Sequence, residues 1–148
     1  MIRGTDFLKS AQSSSAGSTE ADWRSAVSRA YYAAFHETRD LLTALGFVAP
    51  RAEMAHAYLW RRLENCGNAI VAKAGSRLNQ LRRERNRADY DVKLNLAKQD
   101  AEAAVKSAAT IIETLQALKP EDRQAITDAM KTYEQNVLCE PTWRVRPR

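Results

Sequence analysis

One arginine in residues 82–91, the segment RRERNRADYD, occupies a position where a helix would normally carry an apolar side chain. Helical spacing places Arg85 on the same side as four apolar residues, Leu78, Leu81, Ala88 and Val92. Because an unpaired buried charge is costly, Arg85 needs a partner, and Asp89 stands one turn later. Either the two residues form an internal ion pair that fixes the packing of the bundle, or the guanidinium binds a phosphate with Tyr90 beside it as a hydrogen-bond donor.

A second polar feature is a stripe on the long helix predicted before this segment. Arg29, Tyr32, His36 and Arg39 recur at steps of three, four and three residues, so they share one face of that helix. The stripe is either the solvated side of an amphipathic helix or one half of a polar cleft or subunit interface.

The net charge of +5 is concentrated in two places. Residues 73–93 carry seven basic and three acidic groups, a balance of +4, and the C-terminal tail adds Arg144, Arg146 and Arg148 after Trp143. This distribution suits a phosphate-bearing partner such as RNA. The alternative is that the basic residues form the solvated face of a helix and bind nothing. The tail either contacts nucleic acid or a partner, or is a disordered end.

Several classes of site are excluded by what the sequence lacks. There is no glycine-rich phosphate loop and no HExxH motif, and two histidines are too few for a multi-histidine metal site in one chain. Two cysteines cannot form a disulfide framework. We therefore expect no metal and no cofactor. The longest uncharged stretches have ten residues, too few to cross a bilayer, and the N-terminus has no signal-peptide pattern, so we expect a cytoplasmic protein without membrane contact.

The elements that position these residues are predicted to be helices. Only five Gly and four Pro occur in 148 residues, and apolar residues recur at helical steps. The predicted helices span residues 5–11, 20–45, 51–66, a segment with Gly75 near its start that carries Arg85, 97–118 and 120–138. Thr19 is the predicted N-cap of the second helix, which Gly46 ends, and Gly67 ends the third. We expect an all-α up-and-down bundle of four to five helices, with one domain at residues 1–138 and an extended basic tail at 139–148.

Taken together, these segments resemble the HEPN superfamily. The resemblance lies in AVSRAYYAAFH at residues 26–36, then Gly46 and His56, and in RNRADYD at residues 85–91. It covers about residues 5–118 and implies an all-α, HEPN-like bundle that usually forms a homodimer. Many members are RNases that act as toxins of toxin–antitoxin or antiphage systems, and they commonly pair with a small nucleotidyltransferase.

The resemblance also implies an active site at the dimer interface, in which four to six residues separate an arginine from a histidine. Arg85 and Asn86 match the start of this motif, and Tyr90 stands at the position of the histidine. Cleavage of RNA needs proton transfer and a cation that neutralises developing charge. Since tyrosine is a poor base at neutral pH, His36 is the expected substitute in a dimer that brings it beside Arg85.

The sequence therefore predicts a HEPN-family component of a toxin–antitoxin or antiphage defence module, either a metal-independent RNase or a degenerate relative of one. The alternatives are a non-catalytic module that holds RNA, a nucleotide or a partner protein, and a structural subunit whose polar residues only organise the bundle. The candidate catalytic residues are Arg85, Asn86, Tyr90 and His36. The candidate RNA-binding residues are Arg82, Arg83, Arg87, Arg29 and Tyr32.

Overall fold

The computed structural model describes residues 1–143, which form helices joined by short connections. The six α-helices are α1 (Gly4–Ser15), α2 (Glu20–Ala44), α3 (Met54–Glu64), α4 (Ala69–Tyr90), α5 (Lys98–Gln116) and α6 (Pro120–Tyr133), followed by a π-helical turn at Glu134–Leu138. Within residues 1–143 no β-strand forms, and an isolated bridge pairs Phe47 with Trp143. The predicted all-α bundle is confirmed, and residues 1–143 contain six α-helices.

The central helix of the bundle is α2, which contacts α1, α3, α4 and α5. Both α2 and α5 bury rows of alanine: Ala26, Ala30 and Ala34 on α2, and Ala101, Ala104 and Ala108 on α5. Side chains this small let two helices approach each other closely. No helix of the described chain is long and apolar enough to cross a membrane.

Two side-chain caps fix where α2 and α4 begin. The Thr19 hydroxyl accepts a hydrogen bond from the Asp22 amide (3.2 Å), which confirms the predicted start of α2. Asn68 Oδ1 accepts hydrogen bonds from the amides of Ile70 (3.0 Å) and Val71 (3.1 Å). This cap starts α4 at residue 69, so that Gly75 lies within the helix instead of near its start.

Three other boundaries differ from the predicted ones by at least three residues. The first helix continues through the serine run to Ser15, whose hydroxyl donates to the Gln12 carbonyl (2.8 Å). The third begins at Met54 and not at residue 51, because Ala52 adopts a left-handed φ of +58° that a right-handed helix excludes. Towards the C-terminus, α6 gives way at Glu134 to the π-helical turn, which ends at the predicted residue 138.

The chain after this turn packs against the bundle as far as Trp143. Glu134 is fully buried and accepts hydrogen bonds from Arg62 Nε (2.7 Å) and from the amide (2.7 Å) and hydroxyl (2.6 Å) of Thr142. The Val48 amide donates to the Thr142 carbonyl (3.1 Å). The arginines of the predicted tail, at positions 144, 146 and 148, lie outside the described residues.

The C-terminal end of α4 is capped by an arginine of α2. Arg24 Nη1 donates to the carbonyls of Ala88 and Asp91 (both 2.9 Å), and its Nη2 donates to the Leu94 carbonyl. The last carbonyls of a helix have no partner within the helix, so these bonds satisfy acceptors that would otherwise be lost. Glu20 holds the guanidinium in place at 3.0 Å.

Replacing Arg24 with Ala should therefore lower the free energy of unfolding by about 1–3 kcal/mol, because several partly buried carbonyls lose their donor. Chemical denaturation followed by circular dichroism measures this loss. Arg29→Ala is the matched control, since Arg29 lies on the same helix and is exposed. Equal unfolding midpoints for the two variants would contradict the capping role of Arg24.

Candidate functional site

The guanidinium of Arg85 is buried between α2 and α4, and the residue is only 8% exposed. Its Nη1 donates to Asn86 Oδ1 (2.8 Å), and its Nη2 donates to the Tyr32 hydroxyl (2.6 Å). The centroids of the Tyr31 and Tyr32 rings lie 5.6 and 5.2 Å from its central carbon, within the range of cation–π attraction. The buried charge is thus held mainly by an amide, a phenol and two aromatic rings.

Asp89, the ion-pair partner expected from the sequence, makes only a long contact with Arg85. Its Oδ2 lies 3.8 Å from Arg85 Nε, and its side chain is 32% exposed. The same oxygen accepts a hydrogen bond from the Ser28 hydroxyl at 3.3 Å. Arg85 Nε is buried and has no hydrogen-bond partner among residues 1–143. The long contact with Asp89 therefore leaves this buried donor without a hydrogen bond.

A pocket of about 220 Å³ opens between α3 and α4 and reaches Arg85. The α3 side contributes Glu53, His56, Ala57, Trp60 and Arg61, and the α4 side contributes Arg82, Arg85 and Asn86. Like Arg85 Nε, the indole Nε1 of Trp60 is a buried donor with no acceptor in the described chain. Three arginines line this one pocket, and guanidinium groups are suited to bind an oxyanion such as phosphate.

The two walls of this pocket lie close together because Gly75 has no side chain. A Cβ at Gly75 would lie 2.8 Å from Leu63 Cβ and 2.9 Å from the Trp60 carbonyl oxygen, which is closer than van der Waals contact. Any larger residue would therefore push α4 away from α3. Gly75, which lies within α4, thus allows His56 of α3 to lie beside Arg82 and Arg85 of α4.

His56 is a candidate site residue that the sequence analysis did not select. Its ring lies in the pocket with Arg85, and its Nδ1 is 2.5 Å from the Tyr31 hydroxyl. Burial lowers the pKa of His56, the charges of Arg85 and Arg82 lower it further, and Glu53 opposes them. The imidazole is therefore neutral at physiological pH. A signal for it was available, since residues 53, 56, 57, 60 and 61 share one face of a helix.

The predicted RNA-binding arginines of α4 point in different directions. Arg82 is half-buried in the pocket, where Nε and Nη2 donate to Asn79 Oδ1 at 3.2 and 3.1 Å. Arg83 is exposed on another face, and the exposed Arg87 lines a separate pocket beside α5. Tyr90, at the motif position of the histidine, is 75% exposed at the last turn of α4.

The residues of the polar stripe on α2 contact different parts of the protein. Tyr32 binds Arg85, whereas the ring of His36 lies 4.9 Å from that of Phe7 on α1. Burial lowers the pKa of His36 as well. Arg29 is exposed and lines a shallow pocket with Tyr32 and Asp89. Within one chain, the histidine placed beside Arg85 is therefore His56, and His36 lies on the α1 side.

Arg85→Met separates a structural role of the charge from a binding role. Methionine fills a similar volume but leaves the Tyr32 hydroxyl and Asn86 Oδ1 without their donor, so we expect the free energy of unfolding to fall by about 1–3 kcal/mol. Binding of inorganic phosphate and of short RNA, measured by calorimetry, should be lost. Asp89→Asn is the control and should change stability by less than about 1 kcal/mol, because the pair is long and partly exposed. Unchanged binding of phosphate and RNA by folded Arg85→Met would show that the arginine has only a structural role.

Comparison with known proteins identifies the family of the chain. No curated protein and no solved structure shows significant similarity to the chain. The family model of the HEPN domain matches residues 1–118, the region that contains α1 to α5 and every residue of the pocket. The chain belongs to the HEPN domain family.

Proposed function

We propose that this HEPN-family protein is an endoribonuclease of a toxin–antitoxin or antiphage defence module and that it cleaves RNA in the pocket between α3 and α4. The observation that carries the proposal is the placement of His56 and Arg85 in one pocket. A neutral imidazole and a recessed guanidinium are the two groups that such cleavage requires. The resemblance of residues 85–91 to the family motif supports the same assignment.

The reaction begins when a ribose 2′-oxygen attacks the adjacent phosphorus. The new P–O2′ bond forms, the P–O5′ bond breaks, and the products are a 2′,3′-cyclic phosphate and a 5′-hydroxyl. The 2′-hydroxyl loses a proton, the departing 5′-oxygen gains one, and the phosphoryl group carries extra negative charge in between. The protein must therefore supply a proton acceptor, a proton donor and positive charge at the phosphorus.

His56 is suited to accept the first proton. Its lowered pKa keeps the imidazole neutral, which is the form that a general base requires. When the ring proton is on Nδ1, this N–H donates a hydrogen bond to the Tyr31 oxygen. Nε2 is then unprotonated and can accept the proton of the 2′-hydroxyl. The hydrogen bond from Nδ1 then also stabilises the imidazolium that forms, and this imidazolium can protonate the leaving oxygen.

The positive charge comes from α4 and from the end of α3. Arg85, Arg82 and Arg61 all line the pocket. Asn86 fixes the guanidinium of Arg85 through a 2.8 Å hydrogen bond. A guanidinium held in this way stabilises the phosphorane without having to reorganise during the reaction.

A second candidate function is binding without cleavage, and the surroundings of Tyr31 favour it. Burial raises the pKa of Tyr31, so its hydroxyl stays protonated and needs an acceptor. If that acceptor is His56 Nδ1, the ring proton is on Nε2, and His56 can donate a hydrogen bond but cannot accept a proton there. The pocket then holds an RNA phosphate and leaves it intact.

We also propose three partners for this protein. A homodimer and a small nucleotidyltransferase encoded alongside are what membership of the family suggests, and RNA is what the charge of the pocket suggests. The exposed Arg29 and the shallow pocket beside Tyr32 and Asp89 place a polar surface next to Arg85 for such a contact.

His56→Asn should reduce RNA cleavage by a factor of about 10²–10⁴, as expected when a general base is removed. Asparagine keeps an acceptor for the Tyr31 hydroxyl, so the fold should be retained. The rate of the wild type should rise with pH through the pKa of His56 and reach its plateau at a lower pH than an ordinary histidine would give, because that pKa is lowered and the base acts when deprotonated.

His36→Asn provides the contrast for this experiment. If His36→Asn loses cleavage and His56→Asn keeps full activity, the general base is His36 and not His56. Tight RNA binding by a wild type that cleaves nothing would favour the second candidate function.

The two faces of α4 predict different contributions to RNA binding. Arg82→Gln should weaken the affinity for single-stranded RNA more than Arg83→Gln, because only Arg82 lines the pocket. The slope of log affinity against log salt should become shallower by about 0.7 for each phosphate contact that is lost. Fluorescence anisotropy at several salt concentrations measures both quantities. Equal losses for the two variants would mean that RNA follows the exposed face instead.

A further inference from the structure

Two residues of the pocket serve no purpose in binding a phosphate. Glu53 is exposed and lines the pocket, yet a carboxylate repels phosphate. Although three arginines line the same pocket, no ion pair between residues 1–143 includes Glu53. Trp60 lines the pocket as well, and its indole N–H is buried without an acceptor in that part of the chain. The carboxylate points to a ligand with hydrogen-bond donors, and the indole beside Arg61 points to a ligand with a ring, in addition to a phosphate.

Trp60 is part of a surface on which a base can stack. The guanidinium carbon of Arg61 lies 5.3 Å from the centroid of the indole. Unpaired RNA bases stack on aromatic rings and on guanidinium planes, and this pair offers both. A pocket of about 220 Å³ lies below the roughly 300–1,000 Å³ of most small-molecule sites, so it has room for one nucleotide and not for a large cofactor.

Glu53 lies on the same side of α3 as Trp60, seven residues earlier, which is about 10 Å along a helix. His56 lies between them, so carboxylate, imidazole and indole follow one another along a single wall of the pocket. Arg82 and Arg85 stand on the opposite wall. A nucleotide in this pocket therefore places its phosphate towards α4 and its base along α3.

The four bases differ in what they offer to a carboxylate. A carboxylate only accepts hydrogen bonds, and its two oxygens can accept two parallel ones. Guanine carries two adjacent donors on its Watson–Crick edge, N1–H and the N2 amino group. Adenine, cytosine and uracil each carry one donor group on that edge. We infer that the pocket between α3 and α4 binds guanine selectively, with Glu53 accepting from N1–H and N2–H and the base stacked at Trp60 and Arg61.

This inference rests on the proposed function, and the experiment separates the two. The probes are four 2′-O-methyl oligonucleotides of nine residues, which cannot be cleaved through the 2′-oxygen. Eight positions are uridine, and the central position is guanosine, inosine, adenosine or uridine. Affinity for the full-length protein is measured by fluorescence anisotropy. A bidentate contact to a base should give the guanosine probe an affinity about tenfold higher than that of the other three.

Inosine is the sharpest probe, because it lacks only the N2 amino group of guanosine. Glu53→Gln should remove the preference for guanosine and leave the affinity for the all-uridine probe equal or higher, since a repulsive charge is lost. The matched control is Glu64→Gln, because Glu64 lies on α3 outside the pocket and should keep the preference. Trp60→Ala should weaken all four probes.

Each outcome decides the matter. Equal affinity for the four probes, or an undiminished guanosine preference in Glu53→Gln, overturns the selectivity and leaves the proposed function standing. A wild type that binds none of the probes at low salt overturns the proposed function together with the inference.

Discussion

The burial of one guanidinium organises the functional half of this protein. Arginine cannot lose its proton inside a protein, so Arg85 must be surrounded by groups that tolerate a permanent charge. Tyr32 and Asn86 accept its hydrogen bonds, and the rings of Tyr31 and Tyr32 lie close to it. These contacts hold α2 against α4 and bring the Tyr31 hydroxyl to His56 on α3. One buried charge thereby fixes three helices relative to one another.

The position of α3 depends on a second buried charge on its opposite side. Arg62 and Glu134 form a 2.7 Å ion pair, and both residues are almost completely buried. The guanidinium carbon of Arg62 also lies 3.4 Å from the centroid of the Tyr58 ring. Since breaking a buried pair leaves an uncompensated charge, this contact strongly favours a single placement of α3. His56 therefore faces α4 on one side of α3, and the Arg62–Glu134 ion pair fixes the other side of this helix.

Local signals in the sequence were sufficient to predict the helices and the burial of Arg85. Thr19 caps α2 as expected, because a hydroxyl followed by acidic residues is a short-range pattern. The apolar side of α4 also placed Arg85 correctly among buried residues. The predicted partner was only partly right, since Asp89 lies one turn away in sequence whereas Tyr32 lies 53 residues away. A pattern within one helix contains no information about the helix that packs against it.

The same limit explains why His56 and the role of Gly75 were not found. A single histidine on an amphipathic helix has no partner that its own helix can reveal. Only the close approach of α3 and α4 shows that this histidine meets arginines that lie 26 and 29 residues later. The cap made by Arg24 was missed for the same reason, because its acceptors lie more than 60 residues further along the chain.

The electrostatics of the pocket connect binding and chemistry. The arginines that attract a phosphate also lower the pKa of His56, so the free protein presents a neutral imidazole. A bound phosphate brings negative charge to the same place and opposes this effect, which favours the imidazolium once a proton has been accepted. In the proposed reaction, the substrate would therefore shift His56 from the form that accepts a proton to the form that donates one. A histidine held among arginines needs no carboxylate partner for this change, because the phosphate supplies the charge.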